Sequence, residues 1–208
     1  MDGLELLKKD WKKQDDSLPK LSYNDIYSMI LKKSSSIVRS IFIISVLEFV
    51  LWASLEVILR MSDTYGRIKM VGMETISIIA SVLSYSILIY YMVLFYKNYK
   101  KIQATDSTKV LMENILKTRK AVRQYVLVIL GFMSVFMILV FSYMIFIDSD
   151  ANQHFMKDKE LPKAVLFVMV LIFTGIILGT FALFYRLIYG VLTRKLKKNY
   201  SELERLEV

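Results

Sequence analysis

The chain has no cysteine, so no disulfide, thiolate metal site or cysteine nucleophile can be built from it. It has one histidine, His154, and carries no H-E-x-x-H, G-x-S-x-G or glycine-rich phosphate loop. Around that histidine, Asp148, Asp150 and Asn152 mimic the first ligands of a calcium loop. Gln153 stands where such a loop needs glycine and Lys159 where it needs a bidentate glutamate, so no metal and no other cofactor is expected. Proline is scarce too: there are two, both outside the long apolar blocks, and Pro162 sits in a helix's first turn, where a missing N–H costs nothing. These absences leave little to build an enzyme from, and none is expected.

What is present is hydrocarbon in long runs. Of 208 residues, 55% are hydrophobic, and the mean hydropathy is +0.45. The apolar residues cluster near 40–59, 75–96, 125–147 and 164–188 instead of scattering at an amphipathic period. A block of about 20–25 residues gives a helix of roughly 30–38 Å, enough to cross a ~30 Å hydrocarbon core. Long helices buried in a soluble protein would need polar faces, and the third block has no charged residue. In lipid only helices and closed barrels satisfy every backbone group, and the apolar–polar alternation of a barrel is absent. The expected fold is an all-α integral membrane protein with four transmembrane helices arranged as two hairpins.

Charge predicts the orientation. The first 36 residues are polar, with no apolar core or small-residue cleavage site, so the first span is expected to act as its own insertion signal. The segment before the first span, the loop between the second and third, and the tail carry 22 of the 28 basic residues; the other two loops share 6. Positive segments stay inside, which makes both termini cytoplasmic and the protein a multi-pass component of a bacterial inner membrane. The net charge of +9 then reflects topology and attraction to the anionic inner leaflet. Nothing beyond charge points to nucleic acid.

The helices are expected to continue past the membrane. Ser22 and Asp25 resemble a capping box, and Ile26, Ile30, Lys33 and Ile37 then share a face leading into the first span. Leu111, Ile115, Thr118 and Val122 lead into the third span, and Leu192, Leu196, Leu203 and Leu206 follow the fourth. Extensions at about 22–39, 106–124 and 189–206 therefore form a cytoplasmic helical bundle beneath the membrane domain, which covers 21–208. Residues 1–20 read separately, as a short amphipathic helix. Leu4, Leu7 and Trp11 line one face with Lys8, Lys9, Lys12 and Lys13 around it, suited to the inner leaflet or to a protein partner. A weak repeat pairs Val38-Arg39 with Val122-Arg123, and Leu94-Phe95-Tyr96-Lys97 with Leu183-Phe184-Tyr185-Arg186.

Two carboxylates interrupt the first span. A central acid costs roughly 2.5–3.5 kcal/mol of insertion free energy, and each Ile, Leu, Phe or Val returns about 0.3–0.6. Thirteen such residues between Ile41 and Leu59 return about 4–8 kcal/mol, so the span still inserts. Glu48, Trp52, Glu56 and Arg60 make one stripe, in which Glu56 can pair with Arg60. Glu48, placed at mid-span, has no intramembrane cation. Its expected partners are hydroxyls: Ser77, Ser81, Ser84 or Tyr85 on the second helix, Ser134 or Tyr143 on the third, Thr174 or Thr180 on the fourth. It reads either as a neutral acid gluing helices together or as a proton or cation relay. Gly175-x-x-x-Gly179 permits close helix approach, within the monomer or in a homodimer.

The stretches "LKKDWKKQD" (Leu7–Asp15) and "YNDIYSMILKKSSSIVRSIFIISVLEFVLW" (Tyr23–Trp52) resemble the first quarter of small multi-span membrane proteins of Bacteroidetes often labelled carotene monooxygenases. Carotenoid-cleaving oxygenases hold iron with four histidines on a β-propeller, chemistry that one histidine and helical spans do not supply. Similar N-terminal segments precede spans in proteins encoded near alternative sigma factors, which implies a regulatory role. The expected function is a non-enzymatic regulator or scaffold that binds a partner through its basic cytoplasmic helices. The alternative is a small proton- or cation-coupled transporter or channel using Glu48.

Overall fold

The computed structural model describes residues 5, 8, 22–62, 73–105, 107–146 and 162–207. Four helices account for nearly all of them: α1 (Tyr23–Met61), α2 (Glu74–Gln103), α3 (Thr108–Phe146) and α4 (Lys163–Glu207). Consecutive helices pack side by side and α4 closes back on α1, leaving α1 and α3 on a diagonal of an antiparallel four-helix bundle. All four are long and apolar enough to cross a membrane, the architecture of a multi-pass membrane protein. At 30 to 45 residues they measure about 45–68 Å, so each outruns a ~30 Å hydrocarbon core.

Local chemistry fixes the ends. Ser22 Oγ accepts from Asp25 N at 3.3 Å while Asp25 Oδ2 accepts from Ser22 N at 3.0 Å, a reciprocal capping box that starts α1. The same bonds hold the exposed Asp25 carboxyl below its ordinary range. Between α2 and α3 only a few residues intervene, and side chains tie the turn down. Tyr27 Oη donates to Thr105 O at 3.0 Å, Asn114 Nδ2 to Thr105 Oγ1 at 3.3 Å, and the Tyr23 and Thr108 hydroxyls bond at 2.6 Å.

Packing is uneven along the bundle axis. The end holding both chain termini and the α2–α3 turn contains most of the core: Val38 and Ile41, Phe95 and Ile102, Leu111, Ile115 and Val122, Leu196 and Leu203 are all buried. Asn199 Nδ2 donates to Ser34 Oγ at 2.9 Å inside this core, joining α4 to α1. Ser34, and not its neighbour Lys33, therefore takes the inward place on α1; Lys33 is exposed, as a cation needs to be. Beyond Leu88 and Ile129, toward the hairpin tips, only Met73, Ile145 and Thr174 are buried among the described residues. At that end Val50, Ile58, Leu139 and Ile176 stay exposed, the pattern of a surface that hydrocarbon gives no drive to bury.

The weak repeat is met in part: Val38 and Val122 are both buried and Arg39 and Arg123 both exposed, but Phe95 is buried and Tyr96 exposed where Phe184 is exposed and Tyr185 buried.

Candidate functional site

All four helices meet at Glu48. Tyr185 and Tyr189 lie one turn apart on α4 and so share a face. The Tyr185 hydroxyl donates to Glu48 Oε1, and the Tyr189 hydroxyl donates to Oε2 at 3.2 Å. From α3, Tyr125 is buried beside the same carboxylate, its hydroxyl close to Glu48 and Tyr185 but outside the geometry of a formed hydrogen bond. Its ring packs at 6.1 and 5.8 Å from those of Tyr185 and Tyr189, and at 5.2 and 5.7 Å from Tyr91 and Phe95 of α2. One half-buried carboxylate thus sits against tyrosines of α3 and α4, with aromatic rings of α2 packed behind them.

This corrects the partners expected for Glu48. None of Ser77, Ser81, Ser84, Tyr85, Ser134, Tyr143, Thr174 or Thr180 bonds it; two tyrosines at the end of the fourth apolar block do. The cause is depth. Placing Glu48 at mid-span directs the search to mid-span hydroxyls, but α1 sets it level with residues 125 and 185–189, where the third block begins and the fourth ends. Tyr185 and Tyr189 have the spacing of four that puts two hydroxyls on one helix face, the signal that could have found them.

A second polar cluster lies two turns further along α1. Glu56 Oε1 accepts from Arg60 Nε at 2.9 Å, Arg60 Nη2 at 2.6 Å and Ser81 Oγ at 2.9 Å, and the Tyr85 hydroxyl lies beside the carboxylate. Here Glu56, Ser81 and Tyr85 come together, with Arg60 as the expected cation. Ser84 stays apart from the carboxylate, on the wall of a cavity of about 510 Å³ between α1, α2 and α3. The cavity extends from Glu56 and Arg60 to Trp52, Leu88 and Ile129; Glu48 and its tyrosines do not line it.

Gly175 and Gly179 are exposed, and a Cβ added at either would meet nothing within 4 Å. Close packing within the monomer is thereby corrected: this face of α4 points away from its own bundle. In the segment 1–20, Glu5 and Lys8 are the described residues, both helical and exposed. Leu4, Leu7, Trp11, Lys9, Lys12 and Lys13 lie outside the described residues, as do His154 and the segment from Asp148 to Lys159.

At the end that carries the termini, α1 and α4 enclose a groove of about 650 Å³, lined by Lys32, Lys33, Lys195 and Lys198 with Ser36 and Asn199 at its base. Glu202 faces Lys198 across a marginal 4.0 Å. Asn199 is buried, and its Oδ1 has no hydrogen-bond partner among the described residues.

A family model described as a domain of unknown function, DUF8845, matches residues 24–208. The chain belongs to the DUF8845 family. Comparison with curated proteins and with solved structures finds no match. The DUF8845 region takes in the Glu48 shell, the Glu56 cluster and the lysine groove, and leaves out the amphipathic segment 1–20. Sequence pattern alone did not reveal the groove. Lys32 and Lys33 were counted as topology signals, and their meeting with Lys195 and Lys198 depends on α4 closing onto α1.

Proposed function

We propose that this protein is a non-enzymatic membrane scaffold or regulator whose basic end faces the cytoplasm and holds an acidic protein partner in the groove between α1 and α4. The observation that carries this reading is the groove itself: four lysines from two helices around one concavity, with no carboxylate among the described residues that line it. The helices behind it are the best-packed part of the molecule, so the charges sit on a rigid support and little ordering entropy opposes docking. Clustered cations also steer an acidic surface into register.

Replacing Lys32, Lys33, Lys195 and Lys198 together with Gln tests this. At about 0.2–1 kcal/mol per exposed pair, four losses amount to roughly 1–4 kcal/mol, at least about fivefold in affinity. Affinity capture on the tagged full chain should lose a salt-sensitive partner in the variant. Identical capture by variant and wild type would remove the groove as the docking face.

A second reading, proton or cation passage through Glu48, is favoured by the third tyrosine hydroxyl, that of Tyr125, buried beside that carboxylate. Against it, the cavity between α1, α2 and α3 stops at Trp52, Leu88 and Ile129, short of Glu48. A pH-dependent flux into proteoliposomes that vanishes in Glu48→Gln would favour transport over scaffolding.

A further inference from the structure

We propose that the cavity between α1, α2 and α3 binds an uncharged amphiphile, with a hydrocarbon body and one hydrogen-bonding head such as a carbonyl or hydroxyl. This site is independent of the lysine groove and lies toward the opposite end of the bundle. Its volume of about 510 Å³ falls in the range of small-molecule pockets, roughly 300–1,000 Å³. One end is apolar, walled by Leu88, Ile129, Phe132 and Met133. Met133 and Met137 add side chains that reshape readily around a guest. The other end is polar, where α2 presents Ser77, Ser81 and Ser84 opposite Glu56 and Arg60.

The polar end decides the head group. Glu56 and Arg60 neutralise each other at 2.6 Å, and Ser81 and Tyr85 complete the carboxylate's shell. A charged head would enter without a counter-ion and lose its hydration. The Ser77 and Ser84 hydroxyls make no hydrogen bond among the described residues, although both side chains line the cavity. Each hydroxyl can donate to a neutral oxygen, and a bare acyl chain would leave both unmatched. Access is sideways, past the exposed α1 residues Leu55, Ile58 and Leu59, the route open to a molecule dissolved in hydrocarbon.

Trp52 lines the cavity and reports its occupancy. The chain has two tryptophans, so a Trp11→Phe background leaves Trp52 as the sole emitter. In proteoliposomes, three probes of equal length are compared: a straight-chain alcohol bearing bromine at its far end, and the corresponding carboxylic acid and trimethylammonium salt. The alcohol should quench Trp52 saturably, and the two charged probes at least about tenfold less tightly. Ala80→Phe, which fills the cavity, should abolish the saturable component. Ser77→Ala combined with Ser84→Ala keeps the walls and should weaken the alcohol about fivefold. Quenching that rises linearly for all three probes and is unchanged by the serine variant would overturn the proposal. It would mean that bulk acyl chains merely brush Trp52.

Discussion

Phe95→Ala should destabilise the detergent-solubilised protein by about 3–5 kcal/mol, while Phe173→Ala should cost about 1 kcal/mol or less. Both substitutions remove the same ring. Phe95 is fully buried and touches Tyr91 and Tyr125 at 6.2 and 5.7 Å between ring centroids. Removing it opens a cavity where α2 meets α3, inside rigid aromatic neighbours that cannot collapse into the space. Phe173 is 51% exposed and has one ring neighbour, Phe141 at 6.2 Å, so surrounding detergent or lipid fills its place. Thermal or denaturant melts of the two variants measure the difference. Equal losses would mean that stability is spread evenly along the bundle, against the asymmetry of its core.

The second large effect concerns Glu48. Glu48→Gln keeps an acceptor and adds a donor within the same volume, so it should melt close to wild type. Glu48→Leu strips the acceptor from two buried hydroxyls, those of Tyr185 and Tyr189. Unsatisfied buried groups cost about 1–3 kcal/mol, which puts the loss near 2 kcal/mol. This exceeds the ~1 kcal/mol ceiling expected for a single interhelical bond in a membrane, because one carboxylate serves two donors here. Adding Tyr185→Phe and Tyr189→Phe to Glu48→Leu should recover most of the loss, since removing both sides of a buried polar contact is nearly neutral. If the triple variant melts below the single one, the tyrosine hydroxyls have other partners and the shell is wrongly described.

Much of the bundle could be read from residue order, because a membrane span announces itself by composition. The stripe Leu111, Ile115, Thr118 and Val122 is buried in full, since spacings of three and four leave a helix one apolar face to hide. The capping box at Ser22 and Asp25 is local chemistry and needs no tertiary knowledge. Depth and rotation were not legible. Glu48 lies nearer the bundle's terminal end than its place in an apolar run suggests, and its tyrosine partners follow 137 and 141 positions later. Gly175 and Gly179 carry a packing motif that is indifferent to which face of α4 turns inward. Lys33 shares a helical face with Ile30 and Ile37 by spacing, but its charge turns it outward and Ser34 takes the buried place.

The absence of cysteine makes the decisive measurement simple, since any introduced thiol is unique. Ser36→Cys places a thiol in the lysine groove, and Gly66→Cys places one in the segment of sequence between α1 and α2. A membrane-impermeant maleimide should label Gly66→Cys and spare Ser36→Cys in intact cells, and do the reverse in inside-out membrane vesicles. Labelling of Ser36→Cys from outside intact cells would place the groove on the wrong side of the membrane for a cytoplasmic partner and contradict the account.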